Sequence, residues 1–74
     1  MSSIRTDYDA LHDGARIVLH PTEDNPLHRA PVKATYSGGY FYCDGTRKEE
    51  GPDYFLGDVF LYTRGFTEEL PLWV

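Results

Sequence analysis

The dipeptide Gly38–Gly39 constrains the fold more strongly than any other feature of this sequence. It separates two short runs of β-branched and aromatic residues, Val32–Ser37 and Tyr40–Asp44. Such residues are enriched in β-strands, and glycine accepts the positive φ angles that a two-residue hairpin turn requires. We therefore predict an antiparallel hairpin that reverses direction at this dipeptide.

The turn also predicts the register of the hairpin, because it sets Ser37 opposite Tyr40. One face is then apolar and is predicted to be core: Val32, Ala34, Tyr36, Phe41 and Cys43. The other face is mixed: Lys33, Thr35, Ser37, Tyr40, Tyr42 and Asp44. Lys33 and Asp44 are predicted to form a cross-strand charge pair. A slip of one residue would mix the two sets, so the hydrophobic pattern supports this register.

The residues before the hairpin predict one strand and one long loop. The segment ARIVLH, Ala15–His20, is the predicted strand, and Pro21 ends it because proline lacks the backbone donor of a ladder. Pro21–Pro31 carries three prolines and is predicted to be a loop. Further upstream, Asp7 is predicted to cap a single helical turn, and residues 1–6 are predicted to be a loose end.

The segment YFLGDVFLYT, Tyr54–Thr63, is apolar on both faces and admits two readings. Its Val, Phe and Tyr favour two short strands, Tyr54–Leu56 and Val59–Thr63, which meet at a bend. The rival is a helical turn capped by Asp58 and ended by Gly65. Both readings stay open at this point. The apolar end of the chain, residues 68–74, is predicted to pack on the rest of the domain as a tail.

The strand order resembles that of SH3-like barrels in the broad sense that includes Tudor and KOW-type modules. The resemblance lies in LHDGARIVL, APVKATYSGGYFYCDG and YFLGDVFLY, about half of the chain. It implies an all-β, mainly antiparallel, strongly bent five-stranded barrel with one short N-terminal helical turn. Residues 1–74 would form one small domain. The resemblance assigns no functional residue, since a fold does not fix a function.

The charge balance argues against nucleic acids and membranes as direct partners. Lys and Arg number 7 against 12 Asp and Glu, which gives a formal charge of −5. Phosphate backbones and anionic lipid surfaces both select clustered Lys and Arg. The acidic composition keeps one alternative open: an acidic inhibitor or nucleic-acid mimic, of the kind a mobile element could carry.

Cysteine content and hydropathy predict a cytoplasmic chain. Cys43 is the only cysteine, so no intramolecular disulfide forms, whereas small secreted domains usually carry several. No apolar run has the roughly 18 residues of a membrane span. The start, MSSIRTDYDALHDG, lacks the apolar region of a signal peptide.

Residues with catalytic or metal-binding chemistry are present, but no motif connects them. His12, His20 and His28 match no zinc spacing, although His20 and His28 flank one loop and keep metal or small-molecule binding as a weaker alternative. Cys43 lies on the predicted core face, where a thiol is protonated and inert. We therefore expect no enzyme activity and no cofactor.

The surface of the sheet remains as the candidate site. Tyrosine is enriched at protein interfaces because it combines a large apolar area with a polar tip. We predict that the chain binds another protein through one tyrosine-rich face: Lys33, Thr35, Tyr40, Tyr42, Tyr54 and Tyr62. A homodimer through the tail Leu70–Val74 is a further candidate. In the alternative, the long loop or Trp73 covers this face, and the face binds no partner.

Overall fold

The computed structural model describes residues 4–69 of the chain. Within them the chain forms five strands, one short α-helix and two 3₁₀ turns. The strands are β1 Arg16–Pro21, β2 Val32–Ser37, β3 Tyr40–Cys43, β4 Tyr54–Phe55 and β5 Thr63–Glu68. The helix is α1, Leu56–Tyr62, and the 3₁₀ turns are Tyr8–Ala10 and Lys48–Glu50.

All strand pairs are antiparallel, and they form one five-stranded sheet in the order β4-β3-β2-β1-β5. The sheet curves into half of a barrel, and this confirms the predicted small all-β, SH3-like fold. The 3₁₀ turn at Tyr8–Ala10 agrees with the predicted N-terminal helical turn. Asp7 precedes this turn but does not cap it, because its carboxylate binds the Arg5 guanidinium at 2.6 Å instead.

The hairpin register is confirmed pair by pair. Ser37 faces Tyr40, and the pairs behind them follow in the predicted order as far as Ala34 and Cys43. The φ angles are 56° at Gly38 and 89° at Gly39. Two positive φ angles define the hairpin turn whose twist matches that of the flanking strands.

The predicted apolar face of the hairpin lies in the core. Ala34, Tyr36, Phe41 and Cys43 are buried there, and Val32 packs against them half-buried. The neighbouring strands add further large core residues: Ile17 and Leu19 of β1, Tyr54 of β4 and Phe66 of β5. Tyr8 covers this layer from the N-terminal turn, with its ring edge-on to Phe41 at a centroid distance of 5.6 Å.

The segment after β4 is helical, so the preferred two-strand prediction for Tyr54–Thr63 was wrong beyond Phe55. The rival helix was right in kind, but α1 begins at Leu56, before Asp58, and ends before Thr63. The segment is helical despite its strand-forming residues because the helix places the Val59 side chain fully in the core. The Thr63 hydroxyl then donates to the carbonyl of Val59 at 2.7 Å. The last strand consequently begins at Thr63.

The N-terminal arm is attached to β5 within the segment predicted to be loose. Backbone hydrogen bonds of 2.8 Å run in both directions between Arg5 and Phe66. Gly65 permits this approach: its φ is +149°, and a Cβ placed there would lie 2.5 Å from the Arg5 carbonyl oxygen. The tail was predicted over residues 68–74, but Glu68 is the last residue of β5. Leu70–Val74 and the first three residues lie outside the described residues.

The long loop between β1 and β2 covers the core side of the sheet. Its anchor is Asn25, a buried polar residue whose amide donates to the Tyr54 hydroxyl at 2.9 Å and to the Tyr62 carbonyl at 2.7 Å. The loop is therefore anchored by hydrogen bonds to both β4 and the end of α1. Among residues 4–69, no helix has the length and apolar character needed to cross a membrane.

Candidate functional site

Four of the six predicted binding residues share the outer face of the sheet, away from the core. The register places Thr35 opposite Tyr42, and Lys33 and Tyr40 project from the same side of their strands. Lys33 and Tyr40 are exposed, whereas Thr35 and Tyr42 are half-buried. The structure thus brings these four side chains together.

Tyr54 was wrongly assigned to this face. It pairs with Phe41 across β3 and β4, so its side chain lies in the core. Its neighbour Phe55 takes the outer position, next to Tyr40, with the two rings edge-on at a centroid distance of 5.4 Å. No sequence signal pointed to Phe55, because the register of β4 depends on tertiary pairing, which no turn fixes.

Tyr62 also lies apart from the outer face. It ends α1, and its ring centroid is 6.3 Å from that of the buried Tyr54, on the core side of the sheet. The predicted six-residue face is therefore divided: four members are on the outer face, one is in the core and one is on the helix.

The charges on the outer face are paired differently from the prediction. The Asp44 carboxylate accepts two hydrogen bonds from Arg16, at 2.9 and 2.8 Å, and does not pair with Lys33. These bonds hold the pKa of Asp44 below its usual value. Arg16 pairs with Asp44 because it lies opposite Thr35 in the ladder. Its planar guanidinium can also bind both carboxylate oxygens at once, which a lysine ammonium does less well.

A second exposed surface lies on α1. Phe60, Leu61 and Tyr62 are consecutive, and 54%, 68% and 37% of their surfaces are exposed. We call these three residues the α1 surface. Exposing three consecutive apolar side chains to water is unfavourable, so such a run usually marks an interaction surface. The strand reading hid this surface, because alternation would have buried every second side chain.

A third feature lies inside the domain, where three residues far apart in sequence meet. They are His28 of the long loop, Cys43 at the end of β3 and Asp53 just before β4. One ligand atom from each lies within 4.8 Å of the other two. His28 Nε2 is 3.5 Å from Asp53 Oδ2. We call these three residues the His–Cys–Asp cluster.

A layer of hydrogen bonds holds the cluster in place. His28 Nδ1 is bonded to the Tyr54 hydroxyl at 2.7 Å, and this hydroxyl donates to Asn25 Oδ1 at 3.3 Å. The same Asn25 oxygen accepts from the backbone N–H groups of Leu27 and His28, at 2.7 and 2.8 Å. Asp53 is fixed by its own N–H, which donates to the Phe41 carbonyl at 2.9 Å.

The electrostatics of the cluster are unusual for a protein core. The Asp53 side chain is only 7% exposed. Its Oδ2 accepts from the Thr46 hydroxyl at 3.2 Å, whereas Oδ1 is buried without a hydrogen-bond partner. Burial raises the pKa of the Cys43 thiol to about 12, and the nearby Asp53 charge adds to the shift. The thiol is therefore protonated at neutral pH, as predicted from its place on the core face.

This arrangement does not favour nucleophilic chemistry at Cys43. A cysteine nucleophile needs a thiolate and access to a substrate. Cys43 is 2% exposed and its proton is held tightly. The chemistry that the cluster suits better is coordination, because thiolate, imidazole and carboxylate groups are all metal ligands.

The histidines are distributed differently from the predicted pairing of His20 with His28. His20 Nε2 is bonded to Thr67 Oγ1 at 3.0 Å on the other side of the sheet, and His12 is exposed near the N-terminal turn. The sequence carried no short-range signal for the cluster, since 15 and 10 positions separate residues 28, 43 and 53. Only the folded sheet brings the three together.

Comparison of the chain with protein-family models, with curated proteins and with solved structures found no match in any of the three.

Proposed function

We propose that this chain is a small non-catalytic protein-interaction module that binds a partner protein through the α1 surface. The observation that carries the proposal is the exposure of Phe60, Leu61 and Tyr62 in one run. Burying a Leu or Phe side chain fully is worth about 1.5–3 kcal/mol. A partner that covers these residues recovers free energy that the fold itself leaves unused.

The α1 surface is a better candidate than the tyrosine-rich outer face. On the outer face, Thr35 and Tyr42 are already half-buried, and Arg16 is bonded to Thr35 and Asp44. A partner there would compete with hydrogen bonds that the chain makes by itself. Phe60 and Leu61 expose apolar area that has no such internal competitor.

The partner is expected to be a different protein with an apolar centre and a basic rim. Two copies of this chain each carry a formal charge of −5 and repel one another. Asp58 is exposed on α1 beside the α1 surface and adds a local negative charge. Complementary charge around an apolar centre is the usual arrangement of a specific interface. A reducing cytoplasm suits such a chain, whose one cysteine is free and buried.

The alternative of a nucleic-acid mimic has less support. A mimic presents unpaired carboxylates in place of phosphates. Several acidic side chains instead form ion pairs with Arg5 and Arg16. They are Asp7 and Glu68 with Arg5, and Asp44 and Glu69 with Arg16.

The test compares two charge substitutions at leucines of similar exposure. Leu61→Asp removes the centre of the α1 surface, and Leu27→Asp is the matched control, because Leu27 is 57% exposed in the long loop. The wild-type chain is first used to isolate its partner. The affinity of the purified partner for the wild type and for each variant is then measured by calorimetry. We expect Leu61→Asp to weaken binding by about 30-fold or more, as for a central interface residue, and Leu27→Asp to leave it unchanged.

Both variants should fold, because exposed substitutions change the free energy of unfolding by about 0.5 kcal/mol or less. Equal binding by both variants would overturn the assignment to α1. If Tyr42→Ser then abolishes binding in a chain of unchanged stability, the interface lies on the outer face. A wild-type chain that is dimeric by light scattering, with Leu61→Asp monomeric, would refute the preference for a different partner.

A further inference from the structure

The His–Cys–Asp cluster has no role in the proposed interaction, and its chemistry calls for an explanation. A buried carboxylate is costly unless its oxygens are hydrogen-bonded or bound to a cation. Asp53 Oδ1 has no hydrogen-bond partner among the described residues, although only 7% of the side chain is exposed. The two other groups within reach, from His28 and Cys43, are the side chains that proteins most often use to hold zinc.

We propose that His28, Cys43 and Asp53 bind one Zn²⁺ ion, with a fourth position occupied by water. Zinc takes four ligands in a tetrahedron and accepts nitrogen, sulfur and oxygen donors together. The three donors come from the loop between β1 and β2, from the end of β3 and from the residue before β4. A bound ion therefore clips the long loop to the sheet.

One of the three ligand–ligand distances already matches this coordination. Zinc–ligand bonds of about 2.0–2.3 Å place tetrahedral ligands about 3.5 Å from one another. His28 Nε2 and Asp53 Oδ2 are already 3.5 Å apart. The Cys43 sulfur lies within 4.8 Å of a ligand atom of each of the other two residues, so reaching tetrahedral spacing needs side-chain movements of up to about 1.3 Å.

The charge balance of the site favours a divalent ion. The Asp53 carboxylate is largely buried, its Oδ1 has no hydrogen-bond partner among the described residues, and its Oδ2 lies 3.5 Å from His28 Nε2. Zinc binds cysteine as the thiolate and displaces its proton. One Zn²⁺ with one thiolate and one carboxylate is neutral overall, which suits an apolar core.

The surrounding hydrogen bonds already orient the histidine as a zinc ligand. Metal-bound histidines usually donate from the second ring nitrogen to a fixed acceptor. In this chain Nδ1 of His28 lies against the Tyr54 hydroxyl, which itself donates to Asn25 Oδ1. Nε2 lies 3.5 Å from Asp53 Oδ2 and has no other hydrogen-bond partner among residues 4–69. Entry from solvent is available, since the His28 side chain is 20% exposed.

The choice of zinc over magnesium or calcium follows from the donors. Magnesium and calcium are bound almost entirely by oxygen, whereas this cluster supplies one sulfur and one nitrogen for each carboxylate. A thiolate and an imidazole together select a softer ion. Zinc is a common ion of this kind in proteins, and it needs no redox partner because it does not change oxidation state.

The experiment titrates the purified full chain, after treatment with a chelator, with zinc chloride. We expect one equivalent to bind by calorimetry, and the melting temperature to rise with zinc and fall again with chelator. Cobalt(II) in place of zinc reports the donors, because a cysteine ligand adds a thiolate-to-metal charge-transfer band to the tetrahedral visible spectrum. A chain that binds neither metal, with no change in melting temperature, would overturn the proposal.

Variants then assign the ligands. His28→Gln and Asp53→Asn should each lower the zinc affinity by at least about 100-fold, and Cys43→Ser should abolish the charge-transfer band. His20→Gln is the matched control, because His20 is a half-buried histidine outside the cluster, and it should bind zinc like the wild type. Zinc binding that all three ligand variants keep, or that His20→Gln loses, would refute the assignment.

One further variant covers the case in which Cys43→Ser does not fold. Tyr54→Phe keeps the ring in the core but removes the hydroxyl that orients His28. It should lower the zinc affinity by about 10–100-fold without removing any ligand, so its cobalt spectrum keeps the thiolate band. An unchanged affinity in this variant would contradict the role of the Tyr54 hydroxyl in orienting His28 as a ligand.

Discussion

Substituting Gly65 with alanine should destabilise this domain more than any other change to an exposed or glycine position described above. The residue combines a φ of +149° with a backbone contact, because an added Cβ would lie 2.5 Å from the Arg5 carbonyl oxygen. Backbone cannot move aside as a flexible side chain can. Gly65→Ala must therefore strain its own conformation and displace the N-terminal arm.

The magnitude follows from these two effects. A residue other than glycine in a sparsely populated φ region costs about 1–3 kcal/mol. Displacing Arg5 breaks its two backbone hydrogen bonds with Phe66, which contribute about 0.5–1.5 kcal/mol each. The sum is about 2–6 kcal/mol. For a domain of this size, even about 2 kcal/mol lowers the melting temperature by about 8–16 °C.

Gly57→Ala is the matched control. Gly57 lies inside α1, where an added Cβ meets nothing within 4 Å. Alanine is favoured over glycine in a helix by about 0.5–1 kcal/mol, so this variant should be slightly more stable than the wild type. Thermal and urea unfolding followed by circular dichroism measure both. If Gly65→Ala is as stable as Gly57→Ala, then the close approach of the arm to β5 does not exist in solution.

Two further predictions concern the helix and pH. Val59→Ala should lower the free energy of unfolding by about 1–2 kcal/mol, because Val59 is fully buried. Leu61→Ala should change the free energy of unfolding by less than about 0.5 kcal/mol. If urea unfolding shows the same loss of stability for both variants, the orientation of α1 is wrong. Burial, and secondarily the charge of Arg64, lowers the pKa of His20 from the usual 6.5. The unfolded chain therefore takes up this proton first, so stability is retained above pH 6.5 and lost as pH falls below it. His20→Gln should flatten the decline of the melting temperature below that pH, and parallel curves for the two chains would contradict this reasoning.

Local signals were enough to predict the hairpin but not its neighbours. Gly38–Gly39 fixes the pairing of β2 with β3 through turn geometry, which is a property of adjacent residues. β4 has no such turn, and its register places Phe55 beside Tyr40 on the outer face, where Tyr54 had been predicted. The segment Leu56–Tyr62 is apolar on all sides, so its period does not separate strand from helix. The core position of Val59 decided between them.

The candidate sites were predictable only in part for a related reason. Cys43 was correctly placed in the core, because its alternation within one strand was readable from the sequence. Its proximity to His28 and Asp53 was not readable, since it depends on how a loop of irregular conformation lies on the sheet. Asn25 controls that conformation through five side-chain hydrogen bonds to groups on the loop, β4 and α1.

The contact between Arg5 and Phe66 also bears on how the chain behaves at high concentration. An open sheet has two free edges, and unpaired edges recruit strands from other molecules and begin aggregation. One edge here is β4, which is only two residues long. The other is β5, whose midpoint is occupied by the backbone of Arg5. Removing this arm would leave a six-residue template exposed, so a shortened chain should lose solubility even where its core remains intact.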